Sequence, residues 1–172
     1  ERIFGFVRGS RLFASGLLDP HAEGFERVRA AYRWDEATLV SSHNDPDAQN
    51  VIFDGDRLWL GDWETAFRND PPTDVAILLE NFARTPGLEQ TLVEAWLGRE
   101  PDRALRARLA LMRQLTRLYY AGLLLSFAAS APRAVPETDL EAPTPDEFRA
   151  AVARGECAPV DRRGNRASHD LK

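Results

Sequence analysis

The residues best suited to chemistry lie between Ser42 and Asp74, in the string SHNDPDAQNVIFDGDRLWLGDWETAFRNDPPTD. Asp45 follows a short β-prone run, Asn50 comes five residues later, and Asp62 stands at the far end of a hairpin pattern. Oxygen-bearing side chains in this order suit phosphoryl transfer, in which a protein contributes positioning and charge stabilisation. Asp45 is placed to orient an attacking hydroxyl and accept its proton. Asn50 and Asp62 offer hard oxygen donors to a Mg²⁺ that bridges nucleotide phosphates. A hairpin brings the chain back to its start, so it can set Asp62 beside Asn50 although twelve residues separate them.

The elements that must hold these residues are legible as patterns. Glu1 to Arg33 reads as helical, with Ile3, Phe4, Val7, Leu12 and Phe13 at mixed three and four spacings. Asp19-Pro20 marks a second helix start, after which Phe25, Val28 and Tyr32 share one face. Thr38 to Ser41 is the β-prone run, and Val51 to Asp62 is the hairpin, with Asp54-Gly55 as its turn. Asp74 to Ser130 is helical throughout except at Pro86-Gly87 and from Gly98 to Pro101. Within it Leu105, Leu109, Met112, Leu115 and Tyr119 predict one long helix packed on the core. Pro132 to Pro145 is a proline-rich, acidic connection, and Thr144-Pro145-Asp146-Glu147 has the form of a reciprocal capping box opening a last helix with Phe148 and Val152. From Ala158 the chain is polar and is expected to fray.

Length and composition exclude several classes. At 172 residues and 19.3 kDa the chain fits one domain or one large lobe, and at this size roughly 70% of the unfolded surface is buried without need of staples. A single cysteine, Cys157, cannot form an internal disulfide, which favours a reducing, cytoplasmic setting. With 22 basic against 27 acidic residues, a net charge of -5 and a pI near 5.3, no general nucleic-acid partner is expected. The longest nearly apolar run, Leu118 to Ala131, has 14 residues, short of the ~20 that span a bilayer, so no membrane partner is expected either. The chain opens on Glu1 with no charged-then-apolar leader, and we expect it to be cut from something longer.

The motif H-x-D-x-x-x-x-N, a hairpin, then D-W-E and N-D-P-x-x-D resembles the Brenner-type motif of the choline kinase and aminoglycoside phosphotransferase family, relatives of the protein kinases. The residues that carry it are His43-Asn44-Asp45, Asn50, Asp62-Trp63-Glu64, Asn69-Asp70-Pro71 and Asp74. The resemblance implies a mainly helical α+β fold, the C-terminal lobe of a protein-kinase-like fold with a short β-hairpin carrying the catalytic loop. It implies ATP and Mg²⁺ as cofactors and a small-molecule hydroxyl as substrate. Asp45 would be the base, Asn50 and Asp62 the Mg²⁺ and nucleotide ligands, and His43 a support for the loop. The lobe is expected over 1–157, followed by a polar tail over 158–172.

Two parts of that family's pattern have no counterpart. No glycine-rich nucleotide loop precedes the motif, and all but one of the 22 Lys+Arg residues are arginine, the exception being Lys172. We therefore expect an N-terminal lobe absent from this sequence; the alternative is a kinase-like remnant that binds without turnover. A third reading, a metal-dependent phosphohydrolase with His43, Asp45 and Asp62 as ligands, offers fewer ligands than such sites gather. Asp54 and Asp56 read as turn residues, Asp70 and Asp74 as caps or loop braces, and His21 and His169 as surface residues. D-W-E and the Asn after the His lean toward choline or ethanolamine kinases over aminoglycoside kinases. A quaternary ammonium would want aromatic faces and a carboxylate, for which Trp63, Glu64, Phe67, Trp96, Tyr119 and Tyr120 are candidates, with core packing the plainer role for most.

Overall fold

Short apolar repeats interrupted by proline set the order of the elements. The computed structural model describes residues 2–130, 135–141 and 143–156; the tail over 158–172, Cys157, His169 and part of the proline-rich connection lie outside them. Its helices are α1 (Arg2–Gly9), α2 (Asp19–Ala31), α3 (Pro72–Phe82), α4 (Pro86–Leu97), α5 (Arg103–Ala129) and α6 (Pro145–Ala153). Its strands are β1 (Val40–Ser42), β2 (Val51–Phe53), β3 (Leu58–Leu60) and β4 (Phe67–Asn69), so the described chain is mainly helical α+β. It divides into two compact units, one of Phe25–Leu118 and one joining the residues up to Gly24 with the chain from Tyr119 onward.

In the Phe25–Leu118 unit the core lies among α3, α4 and the first half of α5. Val75, Ala76, Leu79 and Ala83 meet Val93, Leu109 and Met112, all buried, with Leu92, Leu97 and Leu115 around them. Proline at the first positions of α3 and α4 pre-sets helical φ where an amide would have no partner, and the Thr85 hydroxyl accepts from Leu88 N to cap α4. Two antiparallel two-stranded sheets complete the unit, β1 with β4 and β2 with β3. Their registers pair Ser42 with Phe67 and Val51 with Leu60.

In the other unit Val7, Leu12 and Leu18 pack with Phe13, Leu125, Ala128 and Ala129. A Cβ on Gly122 would fall 3.0 Å from Ile3 Cγ2, so glycine there lets α1 approach α5 closely. α6 carries the full capping box, the Thr144 hydroxyl accepting from Glu147 N and the Glu147 carboxylate accepting from Thr144 N, as its sequence predicts.

Several expectations need correction. The hairpin turn centres on Gly55-Asp56, one residue later than expected, because Asp54 N donates to Arg57 O and the Asp54 carboxylate accepts from the amides of Asp56 and Arg57. Gly55 takes φ 103° at the first central position, open mainly to glycine. The Arg57 amide foremost, then the Trp59 indole N–H and the Asp56 amide, hold the Asp54 carboxyl down at about 2. Thr38 closes a 3-10 turn capped by the Asp35 carboxylate, so β1 begins only at Val40. β4 was not foreseen. α2 buries none of its residues, and of its expected face only Tyr32, just past its end, reaches this core. Tyr119 is exposed because the buried stripe of α5 runs from Met112 to Thr116, one residue off the expected track.

Glu80 on α3 joins the helices electrostatically. Its carboxylate accepts from Arg113 (2.6 Å) and Arg117 (2.9 Å), and Arg113 also donates to Glu89 of α4 at 3.0 Å. Burial works to raise this carboxyl, but the hydrogen bonds from Arg117 and Arg113 outweigh it and hold it below its ordinary 4.5. A carboxyl whose pKa is lowered by folding lends stability that is full above the unfolded value and lost as pH falls through the folded one. Glu80→Gln should therefore cost most stability at pH 7 and progressively less as pH falls below the carboxyl's ordinary 4.5, measured by urea unfolding. A cost that does not fall with pH would show that the arginines do not hold the charge.

Candidate functional site

The loop that follows β1 is fixed from several sides at once. Asp74, in the first turn of α3, accepts from two successive amides: His43 N on Oδ2 and Asn44 N on Oδ1, each at 2.8 Å. Asn44 takes φ 67°, a left-handed conformation that asparagine tolerates better than most residues. Its Nδ2 donates to the carbonyls of Ser42 (3.1 Å), Thr65 (2.9 Å) and Phe67 (3.3 Å), and its Oδ1 accepts from Asn69 Nδ2 at 2.7 Å. The Thr65 hydroxyl donates to His43 O at 3.0 Å. The N-D-P-x-x-D string is thus a bracing set: Asn69 holds the Asn44 side chain and Asp74 holds the backbone before it.

His43 is buried and both ring nitrogens are engaged. Nδ1 accepts from Asp45 N at 3.3 Å, which leaves Nε2 as the N–H that donates to Gly61 O at 2.8 Å. The ring thereby ties the Asp45 end of the loop to the end of the hairpin, as a support for the loop would, and keeps no nitrogen for a metal. Trp63 lies against it, ring centroids 4.6 Å apart.

Asp45 and Asn50 are brought together directly. Asn50 is buried, and its Nδ2 donates to Asp45 O at 2.8 Å and to Asp45 Oδ2 at 3.2 Å. The buried Pro46, the Asp47 carboxylate capping Gln49 N, and Asn50 N donating to Asp47 O make the turn between them tight. Gly61 N donates to Asn50 O at 2.8 Å, so the hairpin closes as expected and leaves Asp62 one residue beyond Asn50's partner. Asp62 has φ 60°; with Asn44 it makes up the non-glycine residues of positive φ among those described. Such a conformation costs about 1–2 kcal/mol in a residue with a Cβ. The Asp62 carboxylate caps nothing and is exposed.

Oxygens are thereby sorted by commitment. Asn50 spends its amide nitrogen on Asp45, so Oδ1 is the atom it has left to coordinate with, and Asp62 keeps its whole carboxylate. Both are hard donors of the kind Mg²⁺ takes, so the residues present fit that ion. No cluster of three His, Cys, Asp or Glu side chains able to hold a metal occurs among the described residues. Trp63 and Phe67 are exposed and Glu64 lies beside them in sequence, whereas Tyr119 and Tyr120 belong to the other unit and pair with each other at 5.6 Å. Trp96, on α4, is exposed as well.

Sequence reasoning missed Tyr32 and Arg108. Asp70, 1% exposed, accepts two hydrogen bonds of 2.7 Å from Arg108 Nη2 and one from the Tyr32 hydroxyl. Arg108 also lies over the Tyr32 ring, 5.7 Å from its centroid. The signal was present: Arg108 falls on the stripe of Leu105, Leu109 and Met112, and an arginine set in an apolar stripe implies an acid to receive it.

The family profile described as the phosphotransferase enzyme family (APH) matches residues 8–112, more than half of the chain. The chain belongs to the phosphotransferase enzyme family. An uncharacterized protein of Metamycoplasma hominis is 33% identical over 70 residues, 39% of this chain and 14% of that protein. The crystal structure of a choline/ethanolamine kinase family protein from Mesorhizobium loti is similar with a TM-score of 0.59 at 23% identity, over 89% of this chain and 51% of that one. At that identity the likeness speaks for the fold, which is kinase-like. The chain spans about half the length of that solved relative.

Removing one partner from a buried pair strands the other. Arg108→Met should therefore destabilise the chain by about 3 kcal/mol, the low end for a buried pair because Arg108 keeps some contact with water. Chemical denaturation measures this, and a loss under about 1 kcal/mol would mean that Asp70 does not depend on the guanidinium.

Proposed function

We propose that this chain carries the catalytic loop of an ATP-dependent small-molecule kinase, which transfers a γ-phosphoryl group to a substrate hydroxyl. The observation that carries this reading is the sorting of oxygens: Asn50 holds the Asp45 carboxylate with its nitrogen, while its own Oδ1 and the Asp62 carboxylate stay uncommitted at the two ends of one hairpin. Mg²⁺ with ATP, when bound, supplies the transferable phosphoryl group and neutralises its charge. Asn50 and Asp62 are the residues that would hold the ion.

Asp45 acts on the acceptor. Its carboxylate orients the hydroxyl and takes its proton as the oxygen attacks, a contribution of about 10²–10⁴ in rate. Asn50 keeps that carboxylate aimed, and His43 holds the loop to Gly61 without sharing the proton. A small cationic alcohol such as choline, ethanolamine or an aminoglycoside suits the acidic chain, with the Trp63 face and the Glu64 carboxylate as its contacts. The lysine and glycine-rich loop that grip the triphosphate in line would come from outside these residues, in keeping with the half-length coverage of the solved relative.

The test uses the complete gene product, assayed for ADP release with each alcohol. Asp45→Asn should lose at least ~10²-fold in turnover with nucleotide affinity nearly unchanged, because a proton acceptor is lost and no phosphate ligand is. Asp62→Ala should weaken Mg²⁺-nucleotide binding itself. Equal nucleotide affinity in both variants would refute the division of roles, and steady Asp45-dependent ADP release by the 172-residue chain alone would refute the need for a further phosphate clamp.

A further inference from the structure

We propose that Tyr32 and Arg108 are positioning residues for Asp45, acting through a relay of directional hydrogen bonds that runs from Asp70 through Asn69 to Asn44. The inference rests on the kinase reading for its kinetic consequence but not for its geometry.

The relay is continuous. Arg108 and Tyr32 take up both oxygens of the Asp70 carboxylate, so that side chain has one orientation. Asp70 N then donates to Asn69 Oδ1 at 2.8 Å. A primary amide accepts at one end and donates at the other, so engaging Asn69 Oδ1 turns its Nδ2 outward. That Nδ2 donates to Asn44 Oδ1 at 2.7 Å, and by the same logic Asn44 Nδ2 is turned onto the carbonyls of Ser42, Thr65 and Phe67. Asn44 precedes Asp45 and sits at φ 67°, so whatever fixes its side chain fixes the direction in which the chain delivers Asp45. Each step uses the only orientation the previous one leaves, and two amides flipped together would oppose donor to donor at Asp70 N.

The Tyr32 hydroxyl is the anchor of finest grain. Burial first, and Asp70 beside it second, raise the phenol far above its ordinary 10.0, so it remains an O–H donor at any working pH. Arg108 supplies the fork that a lysine lacks. The bland alternative is that this cluster only adds stability. It predicts a different result, because stability lost without misplacement of Asp45 leaves each folded molecule fully active.

The test is a double-mutant cycle in the complete gene product, with turnover per folded molecule and nucleotide KM measured for Tyr32→Phe, Asp45→Asn and the pair. Tyr32→Phe removes one oxygen and is expected to fold. It should lower kcat on the order of tenfold with KM within about twofold, since small misplacements of a reacting group are costly. In the Asp45→Asn background the same change should cost almost nothing, because the group it positions is gone. An undiminished kcat, or equal losses in both backgrounds, would overturn the inference. The Asn44 side-chain amide resonances supply a readout independent of activity. Tyr32→Phe should shift them while leaving those of Gln90 on α4 in place; if they do not move, the relay does not exist. Should the wild-type protein transfer no phosphate at all, the kinase reading fails and these resonances alone decide the relay.

Discussion

One carboxylate fastens the loop to the core. Asp74 gives an oxygen to each of two consecutive amides, and it does so from the first turn of α3, whose following residues Val75, Ala76 and Leu79 are buried. Hydrogen bonds to a charged acceptor are worth about 1.5–3 kcal/mol each, and the helix N-terminus favours the negative charge they need. The loop after β1 thereby inherits the rigidity of the helical core, although loops are ordinarily the mobile part of a fold.

What depends on that attachment is a polar network in place of an apolar one. The Asn44 amide donates to the Thr65 carbonyl, the Thr65 hydroxyl to the His43 carbonyl and the Asn69 amide to the Asn44 side chain, and among the described residues no side-chain nitrogen or oxygen atom fully shut off from water lacks a partner. Such a network rigidifies only when complete, since a half-satisfied one costs more than it returns. Its completeness also explains why two residues can rest at positive φ without glycine: Asn44 is held by four side-chain bonds and Asp62 follows a glycine tied to both Asn50 and His43. Both strained residues lie beside the oxygens proposed to act in catalysis, and functional sites commonly store strain of this kind.

Much of this was legible. The phosphotransferase motif named His43, Asp45, Asn50, Asp62, Asn69 and Asp74, and the capping box placed the start of α6 because local chemistry decides helix starts; the break expected at Pro86-Gly87 falls instead over 83–85, since proline at the first helical position opens α4, and α3 starts at Pro72, two residues before the expected Asp74. What the sequence hid is long-range. β4 pairs with β1 across 24 intervening residues, 42 and 67 being opposite at the nearer end, and three-residue strands carry too short an alternation to announce a partner. Arg108 and Tyr32 meet Asp70 from distances of 38 residues each, which no local window covers. Tyr119 was misplaced for a simpler reason: three and four spacings both fit an apolar stripe, and only packing chose Thr116. The separation of the chain into two units, with α2 and α5 each contributing to both, left no break in composition to read.

Amide hydrogen exchange at His43 and Asn44 tests most directly whether Asp74 organises the site. In the wild-type chain both amides should be protected, and in Asp74→Ala both should exchange at least about tenfold faster, the equivalent of one lost charge-assisted bond. The amides of Leu79 on the core side of α3 and of Ala83 just past its end should change by no more than the variant's measured loss of global stability. Unchanged protection at His43 and Asn44 in the variant would contradict the account, because the loop would then be holding its shape without the carboxylate on which it is built.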